Sequence, residues 1–319
     1  MKNKKAFSLL ELSIVILIIG ILIGGVIQGA KLYYQMKLTS ARSITESSDV
    51  NSIKDLILWV DATQSGSLRN TSNTDQKIDG DAINYWRDRN PQFSTPLIFS
   101  QSTAGNYPLY EENAINGLPS LYFDGAAGGA GDWLETADEP RITHPNSHSI
   151  FVVVMPLTGY STTQANIGVL SKEKGTAYDG TSITNSPYAL AFQGTNNAFS
   201  YGATDSSNSR ISGSGSVTNT VVNDQAAIGT VIWDSVNTTN GFKMYTNGSQ
   251  KALATSGTSV ASVPSSLYIG RYFTGSGFYD RYFKGYIGEI IMYDRALTTE
   301  ERKAVEKYLG KKWGVKLSY

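Results

Sequence analysis

Glu11 lies inside an almost wholly apolar run, residues 7–27, that includes Ile14, Val15, Ile16, Leu17, Ile18, Ile19, Ile21, Leu22 and Ile23. About 20 such residues cross a bilayer as a helix, and a carboxylate at the centre of that helix costs about 2.5–3.5 kcal/mol on insertion scales, somewhat less near an end. A charge kept at that cost needs a partner. A cut between Ala6 and Phe7 would create an α-amino group one helical turn before Glu11, in the same chain or in a neighbour. The ion pair formed in lipid would fix the axial stagger between copies, so the chemistry open to Phe7 and Glu11 is assembly.

Two other groupings could bind. Tyr272, Phe273, Phe278, Tyr279, Arg281 and Tyr282, interleaved with Thr274, Gly275, Ser276, Gly277 and Asp280, form the most aromatic segment beyond the N-terminus. Aromatic faces beside polar groups suit sugar stacking or a protein hot spot, and the alternative is that half of these rings pack between strands. Asp79, Asp81, Asp124, Asp132 and Asp138 stand in turn-rich segments. Carboxylate and carbonyl oxygens of sandwich-edge loops suit calcium, with the first four as candidate ligands, although EF-hand spacing is missing and solvated loop acids are the default. His144 and His148 flank Pro145 in a Thr/Asn/Ser-rich turn, which breaks the helical spacing that would aim both at one zinc ion. A strand-Gly-x-Ser-x-Gly-helix context for a nucleophilic serine is likewise missing.

The elements that must position these residues follow from local patterning. Lys2, Lys4 and Lys5 precede the apolar run and predict a cytoplasmic N-terminus with the bulk of the chain exported. Cleavage as an ordinary secretory signal near Ala30 would place Gln28 where a small residue is wanted, and leaves Glu11 unexplained. Residues 31–55 contain no proline and carry spaced apolar positions Leu32, Met36, Leu38, Ala41, Ile44 and Ile53, which predicts a helix continuing from Phe7 to about Asn51, roughly 65–70 Å long at 1.5 Å per residue. The polar part, 39–52, is the expected stalk, with a flexible linker as its alternative.

Beyond Asp55, short apolar or alternating runs separated by Gly, Asn, Ser and Pro predict strands at 56–60, 121–123, 150–155, 167–170, 188–192, 226–233, 242–245, 251–254, 267–270 and 286–293. Asn247-Gly248 marks a tight hairpin. So many strands without intervening helices predict a two-sheet sandwich of jelly-roll type. Thr298 and Glu301 form a capping box, and Ala304, Val305, Tyr308, Leu309 and Trp313 then share one face of a short closing helix.

The N-terminal lysines, Ala6, Phe7, Ser8, Leu9, Leu10 and Glu11, followed by an apolar helix, resemble the type IV pilin and pseudopilin family. The resemblance implies that a prepilin peptidase cleaves after Ala6 and methylates the amine of Phe7, and that Glu11 aligns subunits. Ala6 stands where glycine is usual in that family. Gln28 stands in a region where many major pilins carry a helix-kinking proline, which favours a minor pilin.

The remainder resembles the concanavalin A-like or laminin-G-like jelly roll at both ends. The residues are Leu58, Trp59, Val60, Asp61 and Ala62, then Trp86, Arg87, Asp88 and Arg89, then Leu121 to Gly125. Near the end they are Phe283, Gly285, Ile287, Glu289, Ile290 and Tyr293, with Arg295, Ala296 and Leu297 leading into a helix closed by Tyr308, Leu309, Lys312, Trp313 and Gly314. That fold hosts lectins, adhesins, glucanases and passive modules, so it does not name a ligand. Its glucanases need an acid and a nucleophile about 5–5.5 Å apart around one glycosidic bond. Here the comparable strand presents Glu289, Ile291 and Tyr293, which makes Glu289 a framework carboxylate and leaves no catalytic residue to assign.

The totals agree with a mainly β body. The 319 residues are 40% apolar and 17% charged, with 31 glycines and 19 tyrosines. Basic and acidic residues number 27 each, which gives no electrostatic reason for a nucleic-acid partner. Loss of residues 1–6 removes three lysines and leaves 24 basic against 27 acidic residues, a net charge of −3. With no cysteine, an exported form must rely on its core.

The expected organisation is a leader at 1–6, an assembly helix and stalk at 7–52 and a β-sandwich head at 53–319. The expected protein is a non-enzymatic minor pilin, single-pass in the bacterial inner membrane as a precursor and then in a periplasmic or surface pilus or pseudopilus. Its partners would be prepilin peptidase, other pilin subunits and a glycan or surface protein. Two alternatives stay open: a structural pseudopilin of a type II secretion-like system with a non-binding head, and an envelope-anchored glycan hydrolase.

Overall fold

The computed structural model describes residues 9–75, 77–126, 128–143, 146–158, 167–172, 187–194, 197–204, 220–262, 264–272 and 281–319, and structural statements below concern these. The N-terminal helix α1 (Leu9–Glu46) has 38 residues and is about 57 Å long. It stops short of the expected Asn51. Ser47 and Ser48 turn their hydroxyls back onto the carbonyls of Ser43 and Thr45, a local competition that favours helix ends. A single 3₁₀ turn (Asp49–Asn51) then leads into the head.

The strands are β1 (Leu56–Asp61), β2 (Leu68–Asn70), β3 (Ile83–Arg87), β4 (Ile98–Ser100), β5 (Leu109–Ile115), β6 (Leu118–Asp124), β7 (Leu134–Thr136), β8 (His148–Pro156), β9 (Ile167–Lys172), β10 (Tyr188–Gln193), β11 (Ala198–Ala203), β12 (Ala227–Trp233), β13 (Phe242–Thr246), β14 (Ser249–Ala254), β15 (Leu267–Ile269), β16 (Arg271–Tyr272), β17 (Arg281–Tyr282) and β18 (Lys284–Tyr293). One sheet runs β14-β13-β12-β8-β18-β6-β5, with β1 added along β18, and the other runs β11-β10-β9-β15-β7-β4-β3-β2, with β16 and β17 beside β9. The short helices are α2 (Pro140–Thr143) and α3 (Thr299–Trp313).

All ten expected strands are present. The hairpin between β13 and β14 turns on Asn247 at φ 50° and Gly248 at φ 80°, the positive dihedrals that a two-residue primed turn requires. A Cβ on Gly248 would also come within 2.4 Å of the Tyr319 ring. Gly248→Ala is therefore expected to cost about 1 kcal/mol or more, read as a lowered denaturation midpoint; an unchanged midpoint would refute the turn assignment.

The two sheets bury different faces. In β8, Ile150, Val152 and Val154 point into the sandwich core, while Phe151 and Val153 point into a second apolar cluster with Trp59, Tyr308, Leu309 and Trp313. β12 and β18 divide the same way, with Ile228, Ile232, Ile291 and Tyr293 in the second cluster. This explains why these strands read as nearly continuous apolar runs: α3 and the end of α1 cover the outer face of the first sheet. In the second sheet, β4, β7 and β15 alternate buried with exposed or half-exposed positions, and β3 buries Ile83 and Trp86 while Asn84, Tyr85 and Arg87 keep exposed surface.

The capping box forms as expected, with Glu301 donating its backbone N–H to Thr298 and its carboxylate accepting from the Thr298 N–H. Gly314 closes α3 in the left-handed conformation at φ 69°. His148 corrects one expectation. It opens β8, fully buried, stacked on Trp233 and bonded through Nε2 to the Tyr201 hydroxyl, because the polar turn ends before it. His144 lies outside the described residues.

Candidate functional site

Along α1 the apolar residues from Leu9 to Tyr33 expose between 48% (Ile14) and 87% (Leu9) of their surface. Such a helix, with mean hydropathy 2.8 over its most apolar window, is long and apolar enough to cross a membrane. Ala6 and Phe7 lie outside the described residues, and Glu11 sits exposed in the first turn.

From Tyr34 onward the same helix is docked. The Tyr34 and Tyr110 hydroxyls are 3.4 Å apart. Lys37 donates to Asn116, and the Arg42 Nε donates to the Thr63 carbonyl at 2.7 Å. Ala41 and Thr45 are buried, and Glu46 pairs with Arg89 at 2.7 Å. Leu32 and Met36 remain exposed, on the side of the helix turned away from the head.

Where α1 meets the head, a polar network is enclosed. The Glu289 carboxylate accepts from Tyr308 OH at 2.6 Å, Trp59 Nε1 at 2.7 Å, and Lys312 Nζ and Trp313 Nε1 at 2.8 Å each. Lys312 also donates to Asp61 at 2.6 Å, and Asp61 faces Glu289 across the β1–β18 pairing. The Thr45 hydroxyl lies 3.1 Å from Tyr308 OH and donates to Asp61 at 3.4 Å, which brings α1 into the network. Gly288 makes this possible, since a Cβ there would lie 2.6 Å from the Trp313 ring.

One ammonium thus serves two buried carboxylates. Burial pushes Asp61 up, but Lys312 and the Thr63 donors overcome it and hold Asp61 below its usual range. Glu289 goes the other way, because burial and the charge of Asp61 outweigh Lys312. Glu289 is the framework carboxylate expected from its strand, sealed from any substrate.

Of the aromatic segment, Phe273, Phe278 and Tyr279 lie outside the described residues. Tyr272, Arg281 and Tyr282 are buried, on the short paired strands β16 and β17. The calcium candidates separate. Asp79 accepts from the Glu112 N–H, and Asp81 from Asn70 and the Ile78 N–H. Asp124 and Asp132 accept each other's backbone N–H at 3.2 and 2.9 Å. Among the described residues no group of three or more acids, histidines or cysteines is placed to hold a metal.

Burial, then the Asp124 charge, push the Asp132 carboxyl up to about 7 against the pull of the Asp124 N–H. Its unfolded value is about 3.9, so in between the folded state holds the extra proton, and this contribution to stability falls as pH rises from about 4 to about 7. Asp132→Asn is expected to flatten that part of a melting-midpoint profile; an unaltered slope would remove Asp132 as its source.

Sequence reasoning missed a group on the outer face of the second sheet: Tyr85 on β3, Trp133 before β7 and Tyr268 on β15, all half-buried. Trp133 and Tyr268 lie 5.6 Å apart, and the Arg271 guanidinium stacks on both, at 4.7 and 5.5 Å. Arg69 stacks on Tyr85 at 5.0 Å. The available signal was period-two alternation with the buried neighbours Trp86, Leu134, Leu267 and Ile269, in strands too short to register. A cleft of about 450 Å³ opens beside this face at the stalk joint, lined by Glu46, Gln64, Arg87, Arg89, Asn90 and Phe93.

Comparison with known proteins places both parts of the chain. Residues 1–27 match the prokaryotic N-terminal methylation motif. Among curated proteins, none matches the chain. Similar solved structures include the CBM40 of the Ruminococcus gnavus IT-sialidase bound to α2,3-sialyllactose, at 15% identity over 59% of this chain and 95% of that one, TM-score 0.43. Domain 4 of AbnA, an extracellular arabinanase of Geobacillus stearothermophilus, in complex with arabinotriose, is similar at 16% identity over 72% and 99%, TM-score 0.45. A botulinum neurotoxin type C structure, from work on its interaction with two ganglioside molecules, aligns at 12% identity over 82% of this chain and 53% of that one, TM-score 0.50, a likeness of fold. The concanavalin A-like lectin/glucanases model matches residues 127–301, more than half of the 319, and the chain belongs to that superfamily.

Proposed function

We propose that this chain is a minor type IV pilin-like protein, built into a pilus or pseudopilus through α1 and presenting its head to a glycan or surface protein. The carrying observation is the division of one helix into two environments. Residues 9–33 expose an apolar surface, and residues 34–46 are fastened to the head by the contacts from Tyr34 to Glu46. A helix of that kind can pack with copies of itself while holding a folded domain outside the bundle.

Prepilin peptidase cuts after Ala6 and methylates Phe7, and the new amine pairs with Glu11. Before assembly the protein spans the inner membrane with its first residues in the cytoplasm. A head of residues 53–319 is bulky for close subunit packing, which favours a tip or minor position. The head binds rather than hydrolyses, as its superfamily's lectins do, with Glu289 committed to the joint. Calcium at Asp124 and Asp132 would keep Asp132 ionised, so excess calcium would abolish the pH slope above.

Intact mass of the membrane-extracted protein tests the assignment. A chain starting at methylated Phe7, seen only when prepilin peptidase is present, is the expected result. A chain starting at Met1 in both strains, or cut near Ala30, overturns it.

A further inference from the structure

The register of the second sheet sets five side chains in one line. Arg69 lies opposite Tyr85, Tyr85 opposite Ser100, Ser100 opposite Glu135, and Glu135 opposite Tyr268. Directly opposed residues share a face. Their chain neighbours Leu68, Trp86, Phe99, Leu134 and Leu267 are buried in the core, so the line points outward. Each strand step is about 4.8 Å, which puts Tyr85 and Tyr268 about 14 Å apart. Tyr85, Glu135 and Tyr268 keep part of their surface exposed, whereas α1 and α3 pack on the other sheet.

We propose that this row is the binding face of the head and that its ligand is an extended oligosaccharide, an inference that rests on the recognition role proposed above. Tyr85 at one end and the Tyr268–Trp133 pair at the other offer ring faces for the C–H surfaces of sugar rings. Ser100 and Glu135 between them offer a hydroxyl and a carboxylate to sugar hydroxyls. Stacking by Arg69 and Arg271 fixes the rings beforehand, which lowers the ordering cost of binding.

The chemistry disfavours other occupants. A nucleic-acid track would be uniformly basic, and Glu135 sits within the row, between Ser100 and Tyr268. A protein interface core is apolar and poor in charge, whereas the exposed large aliphatic side chain beside this row is Ile98, at 41%. The distance between the two ring stations requires an oligomer, since one sugar ring cannot reach both.

The test uses the full chain in detergent micelles on arrays of linear gluco-, xylo-, arabino- and N-acetylglucosamine oligosaccharides, from disaccharide to hexasaccharide. Binding in at least one series is expected to strengthen from disaccharide to tetrasaccharide. Tyr85→Ala and Tyr268→Ala should each weaken it about tenfold, Tyr85→Phe and Tyr268→Phe should retain it, and Tyr33→Ala should leave it unchanged, with melting curves confirming that every variant folds. Binding that survives both alanine changes, or shows no dependence on length, overturns this face while leaving glycan recognition intact. Binding to none of the arrays overturns both, and the mass measurement still decides the pilin assignment separately.

Discussion

Lys312→Met is expected to cost the head about 3–5 kcal/mol, the range for removing one partner of a buried ion pair, with a fall of roughly 10 °C in its melting midpoint. Lys312 is the cation within reach of both Asp61 and Glu289, at 2.6 and 2.8 Å, and all three side chains are sealed from solvent. Without it, two carboxylates face each other across adjacent strands with no charge between them. Trp59 and Trp313 both donate to Glu289, so tryptophan fluorescence of the full chain in detergent follows the loss directly.

The deficit has a defined pH dependence. In the variant both carboxyls are raised above their unfolded values, so the folded state takes up protons that the unfolded state has released. The deficit should therefore shrink as pH falls toward about 4. Adding Asp61→Asn to Lys312→Met should recover part of the loss, because only one buried charge then remains. A loss below about 1 kcal/mol for Lys312→Met would mean that the triad is not charged as described.

The second large effect is at the other end of the molecule. Glu11→Ala should leave processing intact, giving the same cut after Ala6 by mass, yet reduce incorporation into sheared filaments at least tenfold. Truncating one partner of a desolvated charge pair costs about 2–5 kcal/mol, and the apolar helix provides no other acid between Leu9 and Thr45. The same change removes the cost of placing a carboxylate in lipid, so the variant should accumulate in the membrane fraction. Filaments containing the variant at wild-type level would sink the pairing of Glu11 with the Phe7 amine.

These two sites differ in how they could be found. The apolar helix α1, the Asn247-Gly248 turn and the Thr298/Glu301 capping box were legible because each is decided within a few residues: by an unbroken apolar run, by dihedrals open to Asn and Gly, and by hydrogen bonds three positions apart. Long apolar strands such as β8 and β18 were legible too, since both of their faces are buried and each residue carries the signal.

Tertiary structure alone decided the rest. Asp61 and Lys312 are 251 positions apart, and Glu289 acquires its four donors only when β1, β18 and α3 converge, so no local pattern could reveal a charge triad. The row from Tyr85 to Tyr268 rests on the five-residue β3 and three three-residue strands whose order in the sheet, β3-β4-β7-β15, joins segments far apart in the chain. Strand pairing sets which side chains share a face, and pairing is a long-range choice made by the core. The sequence by itself therefore determined that the chain carries a long apolar N-terminal helix and that its body is a β-sandwich, through forces acting over a few residues. Which of the two sheets carries the helices was decided by where α1 and α3 came to rest.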